Sequence, residues 1–306
     1  MNRNSTGALL YFDTNVFDPR DGVPEAKEPL ILNVLHSQRF HLVFDLDCFL
    51  EPLLAFQGLA NDATPRRAAR QLERMLEWCD HRRIVTPPQL LLVQSVRWYS
   101  GLQPRVEAFL DREKLNEQVG RELANWDPVR SPRKAFWQEI ASDAQRERQI
   151  SQDSFTTLLQ ELGPRDGFAP GARIPAFDEF WNEHKYRVAQ TLVESVSEEL
   201  QEPSLRQRRG ERSIDGLLAV RCVNLYVLAT IAHMYPRFYN DGRQIPKIRQ
   251  SDAADLRHAV AASVAEIFVT NDSRLYRGLS AIPIKDFRIV ELNAFLTELG
   301  NTATGQ

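Results

Sequence analysis

Apolar positions fall along this chain in two alternating rhythms. Short, nearly unbroken runs (Ala8-Leu9-Leu10-Tyr11-Phe12, His41-Leu42-Val43-Phe44, Arg83-Ile84-Val85-Thr86, Ile267-Phe268-Val269 and Arg288-Ile289-Val290) predict strands. Runs without an apolar/polar alternation belong to strands covered on both faces, as in parallel sheets. Between them the apolar residues take helical spacing over residues 25–37, through Glu51 to Phe56, and over 64–79, 88–99, 214–235, 252–265 and 293–299. In the third of these, Leu72, Met75, Leu76 and Cys79 share one face of an otherwise charged helix. Pro87-Pro88 suits the first turn of the fourth.

Strands that alternate with helices predict an α/β fold in three layers, a central and mainly parallel sheet with helices on both faces. Residues 104–212 break the alternation, with helix-like patterns interrupted at Trp126-Asp127-Pro128, Gly163-Pro164, Pro170-Gly171 and Pro203. The expected organisation is one α/β domain formed by residues 1–103 and 213–306, with 104–212 as an all-helical insertion. Arg206 to Arg212 (RQRRGER) has no apolar face and reads as a solvated loop or, beside a bound nucleic acid, a phosphate clamp.

Composition narrows the class without choosing a function. The chain has 306 residues, 43% of them hydrophobic, enough for a sizeable core. Its net charge of -3 gives no global basic field, so any nucleic-acid contact needs a local basic patch. Cys48, Cys79 and Cys222 lack the paired spacing of a zinc site and read as reduced, buried thiols. No stretch has the length of a membrane span or a secretory signal core, so the expectation is a cytoplasmic protein with no membrane partner.

Four acids stand where function gathers in open α/β sheets, beyond the carboxyl ends of strands. Asp13 and Asp272 each follow a predicted strand; Glu51 lies on the helix after the second strand; Asp255 lies in the first turn of the helix that leads to Asp272. Four carboxylates at one edge would repel each other or take up protons. A hard divalent cation, magnesium or manganese, relieves that repulsion, activates a water and neutralises a phosphodiester.

The same residues carry a family resemblance. YFDTNVF (Tyr11 to Phe17), DCFLEPL (Asp47 to Leu53) and DLRHAVAASVAEIFVTND (Asp255 to Asp272) resemble the acid-bearing motifs of PIN domains. The resemblance covers residues 7–100 and 214–298 and implies a PIN-like fold. It further implies a metal-dependent endoribonuclease with Asp13, Glu51, Asp255 and Asp272 as catalytic and metal-binding acids, supported by Asn15 and Thr270. RNA would be cut to 5′-phosphate and 3′-hydroxyl ends. Because the family includes toxins held by a neighbouring protein, an inhibitory protein partner is also implied. Asp45 and Asp47 stand where the family often has a small polar residue, as further ligands or as helix caps.

Each residue has a plainer reading. Asp13 could end a strand in a turn; Asp272 and Asp252 could cap helices, and Asp255 could favour a helix N-terminus. His258 reads as a packed helix histidine, and Trp98, Tyr99, Trp126, Trp137 and Trp181 as core. Arg249, Arg257, Arg274 and Arg277 are the candidate basic rim for RNA. The rival functions are a non-catalytic module that binds RNA or protein, and a nuclease acting on DNA.

Overall fold

A computed structural model describes residues 7–56, 65–110, 175–206, 213–238 and 250–304, together with isolated positions between 142 and 157. Arg249, Trp126, Trp137 and residues 207–212 of the basic run lie outside the described residues.

The described elements begin with β1 (Ala8–Phe12), α1 (Glu28–His36), β2 (Phe40–Phe44), α2 (Leu46–Phe56), α3 (Pro65–Trp78), β3 (Asp80–Ile84) and α4 (Pro88–Tyr99). They continue with α5 (Phe177–Glu199), α6 (Ile214–Leu218), α7 (Arg221–Phe238), α8 (Gln250–Ala262), β4 (Ile267–Thr270), α9 (Ser273–Ser280), β5 (Arg288–Glu291) and α10 (Leu292–Thr304). The five strands form one sheet, all parallel, in the order β3-β2-β1-β4-β5. The α/β class and the parallel sheet are as expected.

Successive side chains of β1 point to opposite faces, and each meets a different layer. Phe12 packs edge-on against Phe295 of α10. Tyr11 faces the other way, toward His258 of α8, with Phe268 of β4 beside it. The chain leaves the central strand β1 in one direction through β2 and β3, then returns on its other side through β4 and β5. The order of strands therefore reverses between β1 and β4, and the crevice beyond their carboxyl ends is where such sheets bind ligands.

Two element boundaries differ from the sequence reading. The third strand is Asp80–Ile84, earlier than the predicted 83–86. It is an edge strand, whose outer positions tolerate the polar Asp-His-Arg-Arg stretch, so the apolar run marks only its end. Val85 then forms a single antiparallel bridge with Phe109. The predicted helix 214–235 is two helices. Ser213 caps α6 through the Gly216 amide, and Asn224 Nδ2 donates to the Leu218 carbonyl at 3.0 Å, closing off its end.

The described end of the predicted insertion shares the single core. On α5, Phe180, Trp181, Val188, Ala189, Leu192 and Val193 are buried in the same apolar cluster as the strands. Among the described residues no helix is long and apolar enough to cross a membrane.

Candidate active site

Asp13 is held from three sides. Its amide donates to the Val269 carbonyl at 3.0 Å, tying the end of β1 to β4. Its carbonyl accepts from the Val16 amide at 2.9 Å and starts a 3-10 turn. Gly22 closes over that turn: a Cβ there would lie 2.3 Å from the Val16 carbonyl oxygen, so only glycine fits. The Asp13 side chain is 2% exposed. Its Oδ2 accepts from Thr270 Oγ1 at 2.9 Å and from Asn15 Nδ2 at 3.4 Å, the two residues expected to support it.

Thr270 reaches the fourth acid as well. Its Oγ1 accepts the Asp272 amide at 3.0 Å, so one hydroxyl spans Asp13 and the backbone of Asp272. The Asp272 side chain caps α9, Oδ1 accepting the amides of Arg274 (2.7 Å) and Leu275 (2.9 Å).

Glu51 enters from α2, its side chain 24% exposed. Its Oε1 is 3.6 Å from His258 Nε2, which is itself 3.7 Å from Asp13 Oδ1. Asp255 enters from α8. Burial raises the pKa of the Asp13 carboxyl, and the charges of Glu51 and Asp255 push the same way, against His258 and the Thr270 hydrogen bond. Glu51 and Asp255 thus both act on Asp13 at the end of β1.

A hydroxyl hub lies beneath them. Tyr11 donates to Asp45 Oδ2 at 2.8 Å, with His258 Nδ1 at 2.9 Å and Cys48 Sγ at 3.1 Å. With its proton on the Asp45 bond, the Tyr11 oxygen accepts from His258 Nδ1–H, which aims Nε2 at the acids. Burial opposes charge on the ring, but Cys48 and Glu51 outweigh it and hold its pKa well above the ordinary value. The Cys48 thiol is itself pushed up to about 12, chiefly by burial, and is uncharged at neutral pH. Glu51 and Asp13, 3.6 and 3.7 Å from Nε2, are the carboxylates that face the ring.

The sequence argument assumed acids without counter-charges, and here it needs correction. His258 stands between Asp13 and Glu51. Arg274 Nη2 lies 3.0 Å from both Asp252 Oδ1 and Asp255 Oδ2. His233 of α7 backs the same pair, Nδ1 3.6 Å from Asp252 and Nε2 3.4 Å from Asp255. Arg257 also departs from expectation: α8 turns it onto Asp47 of α2, its side chain 15% exposed, so it forms an internal ion pair rather than a rim. Arg277 is exposed, with Nε on the Ser273 carbonyl of its own helix. Asp45 accepts the Asp47 amide at 3.0 Å, as a cap would.

Tyr11, Cys48, His233 and Thr14, whose Oγ1 lies 3.3 Å from His258 Nε2, were not assigned to the site from sequence. Tyr11 and Cys48 read as ordinary core. His233 offered one signal, an ionisable residue on a strongly apolar helix.

Two trios of side chains bring potential ligand atoms within 4.8 Å of one another: Asp45, Cys48 and His258, and His233, Asp252 and Asp255. The Tyr11 hydroxyl bonds to all three of the first; in the second, Arg274 hydrogen-bonds Asp255 and is ion-paired with Asp252. Asp13, Glu51 and Asp255 do not close to that spacing among the described residues, although an all-oxygen set is the chemistry a hard divalent ion prefers. The chain matches no family model, no curated protein and no solved structure.

Proposed function

We propose that this protein is a metal-dependent endoribonuclease of PIN-like type, with Asp13, Glu51 and Asp255 as the acids that hold magnesium or manganese and Asp272 completing the set. One observation carries the reading: Glu51 and Asp255, from two other elements, act electrostatically on Asp13 at the end of β1, and Asp13 is buried at a cost to its ionised form. The bound ion would activate water and neutralise the phosphodiester. Thr270 and Asn15 fix Asp13 Oδ2, which leaves Oδ1 facing His258. His258, held by Tyr11, stands between Asp13 and Glu51 and offsets their mutual repulsion. The motif resemblance supports RNA as substrate, 5′-phosphate products, and a role under the control of an inhibitory protein.

Purified protein incubated with end-labelled RNA and manganese is expected to cut it. Asp13→Asn should reduce the rate by at least about a hundredfold, the order expected when an essential group is removed. Cleavage that persists in Asp13→Asn, or in excess chelator, refutes the proposal.

A second reading is favoured by one observation, the cations His258 and Arg274 that already balance the acids. On that reading the network is structural and the protein is a non-catalytic module that binds RNA or protein. It predicts RNA affinity without metal affinity.

A further inference from the structure

Arg274 differs from the other arginines near the acids. It sits in the first turn of α9, after the Asp272 cap, and its Nη2 is shared between Asp252 and Asp255 at 3.0 Å each. Both acids are buried, and His233 supports them from behind. The approach of α9 depends on Gly278, where a Cβ would lie 2.6 Å from Cβ of Ala232, the neighbour of His233. The guanidinium is thus clamped at one nitrogen, in a fixed orientation, by three packed helices.

Its other edge is open. The side chain is 47% exposed, and Nη2 is the nitrogen engaged among the described residues. A guanidinium presents five N–H groups in a planar fork that matches the oxygens of a phosphate. A fork already oriented by buried carboxylates loses little further freedom when it binds. Arg257 lacks the open edge, and Arg277 lacks the buried anchor.

We propose that Arg274 is a phosphate-recognition residue, its Nε and Nη1 edge binding a phosphodiester oxygen of a nucleic acid strand seated at the acidic site. This deepens the nuclease reading and rests on it. Asp252 and His233 then act as positioning residues for the guanidinium.

The test compares wild type, Arg274→Gln and Arg274→Lys by fluorescence anisotropy. The probes are a labelled single-stranded RNA and the DNA of the same sequence, in calcium to suppress cleavage. Manganese affinity is measured separately by calorimetry. Arg274→Gln is expected to bind both strands about tenfold more weakly, the loss of one charge-assisted contact, with a shallower salt dependence. Arg274→Lys should recover part of that loss, and manganese should still bind both variants. Unchanged strand affinity in Arg274→Gln overturns the proposal alone, and tighter manganese binding would identify Arg274 as a resident counter-ion. A parallel loss of manganese affinity overturns it in favour of a structural role. A loss confined to RNA overturns it in favour of a 2′-hydroxyl contact. If wild type binds neither strand, this proposal and the nuclease reading fail together.

Discussion

At Asp13 the carboxyl is enclosed by β1, β4 and the turn that follows β1, and burial raises its pKa. A raised folded-state pKa means that the folded protein prefers the protonated acid. The stability this gives is full below the unfolded value, about 3.9, and is lost as pH rises through the folded value. The ionised Asp13 therefore destabilises the metal-free protein at neutral pH, and Asp13→Asn should melt higher than wild type in chelator at pH 7.5. The gap should close as pH falls toward 4, and added manganese should raise the melting point of wild type alone. A lower melting point for Asp13→Asn in chelator contradicts this account. His258 has the same sign: stability from its charge is present below about 6.5 and fades as pH rises through its higher folded value. Asp272 permits a separation of roles. Asp272→Ala should cost about 1 kcal/mol in urea denaturation through loss of the cap, whereas Asp272→Asn keeps an acceptor and should cost less. If Asp272 also serves the metal, both variants lose RNA cleavage; if it is a cap alone, Asp272→Asn cleaves normally.

Among the elements, α3 does most to hold the loop that follows Asp13. Gln71 Nε2 donates to the Thr14 carbonyl at 2.8 Å, and Arg74 Nη1 to the Phe17 carbonyl at 3.2 Å. Arg67 pairs with Asp18 and Asp21. Arg74 is fully buried, ion-paired with Glu28 of α1, and lies over the Trp78 ring. Removing one member of a buried pair strands the other. Arg74→Ala should therefore destabilise the fold by roughly 3 kcal/mol in chemical denaturation, the low end of that range because Arg70 still reaches Glu28. A loss below about 1 kcal/mol would show that the pair is replaceable by water. None of this ladder was legible in the sequence, where Arg67, Arg70, Gln71 and Arg74 looked like the solvated side of an amphipathic helix. Their partners lie more than forty residues away and are chosen by packing. The same limit hid the break between α6 and α7, since an unbroken apolar pattern continues across Ala219 and Val220.

Across the whole molecule, the inner strands of the sheet were legible because their runs are almost wholly apolar, and because Asp13 and Asp272 punctuate two of them. Asp13 and Asp272 could be named from strand ends, since a parallel sheet brings those ends to one edge; Glu51 and Asp255 rested on their helices and on the motif resemblance. Their counter-charges could not be named. Arg274 finds Asp255 across a helix boundary, and His258 finds Tyr11 from 247 residues away. Those pairings decide whether the acids need a metal at all, which divides a nuclease from a binding module. Calorimetric titration of manganese into chelator-treated protein addresses that division most directly. The nuclease account predicts saturable binding by wild type, weakened at least about tenfold in both Asp13→Asn and Glu51→Gln. Absence of binding by wild type at millimolar manganese, or equal affinity in all three proteins, would contradict it.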